Sequence, residues 1–121
     1  MVCRGIRGAI SIEINDAGAI IAATRDLLER IVVANGVSVR DIVSVIFTAT
    51  PDLNAAYPAR AAREMGWVNT PLLCMQEMMV VGSLPHCIRV LIHWNTGLAP
   101  EQIRHVYLGH AHVLRPDLME E

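Results

Sequence analysis

The chain has 121 residues, enough for one ordinary domain. Its formal charge of -2 offers no basic face for nucleic acid or an anionic membrane. At 53% hydrophobic and 18% charged it is rich in apolar side chains for so small a body, which points to an oligomer whose interface takes the excess.

All ten cationic residues are arginine and none is lysine. Biased base composition would explain this; so would guanidinium forks used to clamp carboxylates or phosphates. The three cysteines, Cys3, Cys74 and Cys87, have no CxxC spacing. Arg4 and Arg7 flank no apolar signal-peptide core, and no apolar run is long enough to span a bilayer. A soluble, cytoplasmic protein is expected.

Residues 2–14 read as a strand, with Ile6, Ile10, Ile12 and Ile14 on one parity. The other parity carries Arg7 among small residues, which leaves room beside its side chain. Asn15 and Asp16 supply a cap for a helix running to about Ala34. Its inward stripe is Ile20, Thr24, Leu27, Leu28 and Ile31, and Asn35-Gly36 ends it. Residues 38–41 resemble a capping box opening one helical turn. Residues 42–49 are apolar on both faces, as a central strand would be.

Thr50-Pro51-Asp52 breaks that strand. Pro58 opens a short helix over residues 59–65, closed by Gly66, with Arg60 and Arg63 as neighbours on it. Residues 72–81 form another extended run, residues 87–95 the next, and residues 105–114 the last. Arg115 precedes Pro116 and is held extended. Residues 116–121 read as a flexible tail of a single domain spanning 1–121. The order describes an α+β domain, a mixed β-sheet with helices on one face.

Arg89 lies in the most apolar stretch, Cys87-Ile88-Arg89-Val90-Leu91-Ile92-His93-Trp94. Its charge is permanent, so it needs an anion there. Strand parity places it with Cys87, Leu91 and His93. Its partner is an acid of the chain, Glu77 or Asp52, or a ligand. Arg7, Arg89 and Arg115 all lie in extended segments, whereas Glu77 is the one acid in an apolar strand. An anion pocket satisfies three such arginines better than one glutamate. Glu77 reads either as a structural partner of an arginine or as an acceptor for a substrate hydroxyl. Tyr107 reads as a core tyrosine or as a neutral donor to the same anion. His110 and His112 share a strand face with His105 opposite, which builds no metal site. None of the cysteines reads as paired with an activating base, and no glycine-rich phosphate loop is present. No cofactor is expected.

The segments Arg4-Gly-Ile-Arg7-Gly-Ala, Thr48-Ala-Thr-Pro-Asp-Leu53, Tyr57-Pro-Ala-Arg-Ala-Ala-Arg63-Glu, Cys74-Met-Gln-Glu77-Met, Cys87-Ile-Arg89-Val, Gln102-Ile-Arg-His-Val-Tyr107-Leu and Val113-Leu-Arg115-Pro-Asp-Leu118 run in order through nearly the whole chain. Together they resemble the AroH class of monofunctional chorismate mutases. The resemblance implies a homotrimer with a barrel-like core and active sites in clefts between subunits. It implies a Claisen rearrangement of chorismate to prephenate, on the route to phenylalanine and tyrosine, without metal or organic cofactor.

It further implies that Arg89 donates to the ether oxygen of the breaking bond. Arg7 would clamp a carboxylate, with Tyr107 as a further donor. Glu77 and the main chain near Leu73 and Cys74 would position the ring hydroxyl. Tyr57, Ala59 and Arg60 would come from the neighbouring subunit, and Arg63 would add positive potential. Leu114 and Arg115 would close the pocket. Tyr57 and Arg60 depart from the phenylalanine and lysine often found in that family. A trimeric carboxylate-binding regulatory module and an imine or enamine hydrolase with an interfacial arginine are the alternatives.

Overall fold

The computed structural model describes residues 1–114. Five strands form one mixed sheet in the order β3-β2-β4-β1-β5. They are β1 (Val2–Ser11), β2 (Ile42–Ala49), β3 (Leu72–Gln76), β4 (Cys87–Thr96) and β5 (Val106–Leu108). β4 pairs antiparallel with both β1 and β2, while β3 and β5 add at the edges in parallel. β2 is therefore an inner strand, but the centre belongs to β4.

Helix α1 (Ala17–Asn35) and helix α2 (Ala59–Glu64) pack on one face. The α1 stripe buried against the sheet is the expected Ile20, Thr24, Leu27, Leu28 and Ile31. The Asp16 carboxylate accepts from the Ala19 N–H at 3.0 Å, and Gly36 ends the helix at φ 67. These side chains meet Ile6, Ile10, Val45, Phe47, Ile88, Val90, Ile92 and Trp94 in one apolar core. Gly8 permits the close approach: a Cβ there would lie 2.7 Å from Ile31 Cδ1.

The opposite face carries the alternate residues. Register pairs Ala9 with Arg89, Arg89 with Thr48, Leu91 with Ile46, and Ala9 with Tyr107. No α-helix among the described residues covers this face, and Leu73 and Met75 at its β3 edge are exposed.

Four expected elements differ in extent. β1 stops at Ser11 because its neighbour β4 begins opposite, at Cys87, and Ile14 beyond it is exposed. β3 stops at Gln76: Glu77 N–H still donates to Ala49 O at 2.9 Å, but β2 then turns away. Met78, Met79, Val80 and Val81 are left without a strand partner and exposed. The turn at Val39–Asp41 forms through Asp41 N–H to Ser38 O at 2.9 Å, with no side-chain cap from Ser38.

The last strand is only three residues long. Gly109 takes a left-handed φ of 63, and the Ser11 hydroxyl accepts from the His110 N–H at 2.8 Å. The chain leaves the sheet there and coils into a 3₁₀ segment, Gly109–Leu114. His110 and His112 lie in that segment rather than on a strand face.

Candidate active site

The 3₁₀ segment packs Ala111 against Ala9, Cys87 and Tyr107 on the helix-free face. It walls one side of a cavity of about 380 Å³. Arg7, Thr48, Glu77, Arg89, Tyr107 and Leu114 line it, beside the apolar Ile46 and Leu91. The expected set of Arg89, Arg7, Glu77 and Tyr107 thus converges from β4, β1, the residue after β3 and β5, with Leu114 also lining the cavity.

Arg89 is not enclosed. Its side chain is 42% exposed, and its Nε stands 3.5 Å from Glu77 Oε1. That approach is an ion pair without a hydrogen bond, and the Nε is buried with no hydrogen-bond partner. Of the two acids offered by the sequence, Glu77 is the partner. Asp52 instead ties down the start of β4, accepting from the Thr50 hydroxyl and from the His86 N–H at 3.1 Å.

Glu77 is fixed by its backbone bond to Ala49 and by the Thr48 hydroxyl, which donates to Oε1 at 2.6 Å. Its second carboxylate oxygen makes no hydrogen bond among the described residues. Arg7 donates its backbone N–H to His105 Nδ1 at 2.9 Å. Its guanidinium has no carboxylate within ion-pair distance among the described residues. Tyr107 is almost fully buried, and its hydroxyl finds no partner among the described residues. Two guanidinium groups and one carboxylate, paired with Arg89 alone, thus line the cavity, which is left with net positive charge.

Cys87 lies beneath this site. Burial pushes its thiol pKa up, although the nearby Arg89 charge pulls the other way. The thiol stays protonated at neutral pH. Among the described residues no three His, Cys, Asp or Glu side chains converge in a way that would hold a metal ion.

The remaining candidates lie elsewhere on the protomer. Tyr57, Ala59, Arg63, Leu73 and Cys74 line a separate, shallow recess of about 310 Å³. Arg60 projects nearby from α2 and pairs with Glu64 at 2.9 Å, both side chains half exposed. Cys74 points to the core side of β3, opposite Phe47. Arg115 lies outside the described residues, as does the expected 116–121 tail. Thr48 was given no role from sequence. Its place opposite Arg89 follows only from the β2–β4 register.

The chain matches the family Chorismate mutase type I over residues 3–118. It belongs to that family. It is 48% identical over 119 residues to chorismate mutase AroH of Bacillus subtilis, covering 98% of this chain and 94% of that one. To chorismate mutase AroH of Thermus thermophilus it is 52% identical over 116 residues, covering 95% of each. Among solved structures, a chorismate mutase from Clostridium thermocellum superposes with a TM-score of 0.89 at 50% identity, over 91% of this chain and 98% of that one. As a chorismate mutase the protein is an isomerase, and nothing supports the regulatory module or the imine hydrolase. No described helix is long and apolar enough to cross a membrane.

Proposed function

We propose that this chorismate mutase rearranges chorismate to prephenate in the cavity walled by Arg7, Glu77, Arg89 and Tyr107, with the rest of the site supplied by a second subunit of a homotrimer. The observation that carries the reading is the imbalance of charge. Arg89 is held, but not saturated, by Glu77, and Arg7 faces the same space with no described acid to neutralise it.

The substrate is a dianion. As its ether C–O bond lengthens, negative charge gathers on the oxygen. The fixed Arg89 guanidinium, aimed at that atom, stabilises the transition state more than the ground state. Arg7 and the Tyr107 hydroxyl hold a carboxylate, and the free oxygen of Glu77 accepts the ring hydroxyl. Holding the flexible substrate in its compact conformer supplies a further part of the rate. No proton is transferred, so no general acid or base is needed.

Two features support the shared site. The helix-free face exposes Leu73 and Met75 beside half-buried Ile46 and Leu91, an apolar surface suited to burial against other protomers. The recess of Tyr57, Ala59, Arg63, Leu73 and Cys74 shares no residue with the arginine cavity of the same protomer. In the trimer Tyr57, Ala59 and Arg60 close the neighbour's cavity, with Arg63 adding positive potential, and Leu114 and Arg115 cover it. The proposed location is the cytoplasm, where the thiols of Cys3, Cys74 and Cys87 stay reduced.

The test is direct. Purified protein is mixed with chorismate, loss of the diene absorbance is followed, and the product is identified. Prephenate formation supports the reading, and unchanged chorismate overturns it. Sedimentation decides the trimer.

A further inference from the structure

We infer that Thr48 is a positioning residue for this reaction, acting through Glu77; the inference rests on the functional reading above. Thr48 sits opposite Arg89 in the β2–β4 register and lines the arginine cavity. Its hydroxyl donates its single proton to Glu77 Oε1 at 2.6 Å. That proton is committed, so Thr48 has none to offer a substrate oxygen.

The geometry gives the bond a specific consequence. Oε1 is also the atom that faces Arg89 Nε at 3.5 Å. That longer approach lacks a hydrogen bond and cannot fix the carboxylate's rotation by itself. Glu77 lies one residue past the end of β3, where the backbone is held by the bond to Ala49 and the next residues have no strand partner. The side chain therefore needs a lateral constraint, and the Thr48 hydroxyl is the donor within reach. With Oε1 taken by Thr48 and Arg89, Oε2 is the oxygen presented to the cavity. The hydroxyl thus sets both the orientation of the hydroxyl-binding carboxylate and its distance from the guanidinium that carries the chemistry. Placement errors of this kind cost rate without removing any group that touches substrate.

The test uses the full-length protein and its variants Thr48→Val, Thr48→Ala, Thr48→Ser, Glu77→Gln and the double variant Thr48→Val with Glu77→Gln. Valine and alanine both remove the hydroxyl; valine keeps the shape and branching of a strand residue. Each is assayed with chorismate, and unfolding is followed by circular dichroism. Thr48→Val and Thr48→Ala are expected to lower kcat/KM by about tenfold, as loss of a hydrogen bond to a charged group would. Thr48→Ser should stay within about twofold of wild type, because it keeps the donor. In the Glu77→Gln background, Thr48→Val should cost little more, since both changes break one unit.

A merely structural threonine would carry its whole loss into the Glu77→Gln background and would lower the unfolding midpoint in step. That result overturns the inference. So does wild-type kcat/KM in Thr48→Val and Thr48→Ala beside an impaired Glu77→Gln, which leaves the functional reading standing. A wild-type protein that leaves chorismate untouched overturns both.

Discussion

Arg89 and Glu77 approach to 3.5 Å without forming a hydrogen bond, on a face of the sheet that no described α-helix covers. The pair explains how a permanent charge is tolerated in a strand of Ile, Val and Leu. The aliphatic stem lies among apolar neighbours while the head reaches an open cavity. A half-exposed guanidinium bears little desolvation cost, so its pairing adds little to stability. Its value lies in what it can still donate to a ligand.

Replacing Arg89 by alanine should therefore separate stability from catalysis. The expected loss in kcat is at least about 10²–10³, by analogy with deletion of one oxyanion donor. The far-ultraviolet circular dichroism and the unfolding midpoint should remain close to wild type. Wild-type turnover in a folded Arg89→Ala protein would remove the electrostatic role. A collapse of the fold would show instead that the Glu77 pair is structural.

Much of this arrangement was legible in the chain because it is local. The α1 stripe follows from spacing, and strand parity alone puts Arg89 with Cys87 and Leu91. What was not legible depends on contacts far apart in sequence. The last strand ends early because the His110 N–H reaches the Ser11 hydroxyl, 99 residues away, and Gly109 turns left-handed beside it. The same turn brings Leu114 over the cavity. Thr48 went unassigned because its neighbours in space, Arg89 and Glu77, come from β4 and from the end of β3. The partial exposure of Arg89 was not legible for the same reason: an apolar sequence does not reveal which face of its sheet is left open.

Gly8 is expected to tolerate no side chain. A Cβ there would stand 2.7 Å from Ile31 Cδ1, 3.1 Å from Val90 Cγ1 and 3.2 Å from Leu27 Cδ1. Ile31 and Leu27 are fully buried, so neither methyl can swing into solvent. Gly8→Ala should destabilise by about 1–3 kcal/mol, as overpacking does. Ile31→Val removes the nearest methyl, and the two changes together should cost less than the sum of each alone. Urea unfolding of the four proteins measures this, and strict additivity would place the strain elsewhere.

Asp52 should make stability depend on pH at the acid end. Burial opposes its charge, but hydrogen bonds from Thr50 and the His86 backbone, together with the nearby His86 ring, outweigh it and lower its pKa below 3.8. A carboxyl with a depressed folded pKa stabilises the protein above its unfolded value. That contribution is lost as pH falls from about 3.8 through the lower folded value. The same carboxylate holds the N–H of His86, a non-glycine residue at φ 50, at the entrance to β4. Asp52→Asn should flatten the fall in unfolding midpoint across that acid window. An unchanged slope would assign the acid sensitivity to other carboxylates.

The proposed division of one site between two subunits can be tested by mixing defective partners. Arg89→Ala disables the arginine cavity but leaves the Tyr57 and Arg63 recess intact. A Tyr57→Ala, Arg63→Ala double variant does the reverse. In a mixed trimer, some interfaces bring an intact cavity from one subunit against an intact recess from its neighbour. Those interfaces are complete, whereas every interface in either parent trimer lacks one half. Unfolding the two variants together and refolding them should give chorismate turnover well above the sum of the parents refolded apart. The gain should depend on the mixing ratio and peak near equal amounts, because a complete interface needs one subunit of each kind. A site built wholly within one protomer would show no gain at any ratio, since every protomer in the mixture would still carry a defect.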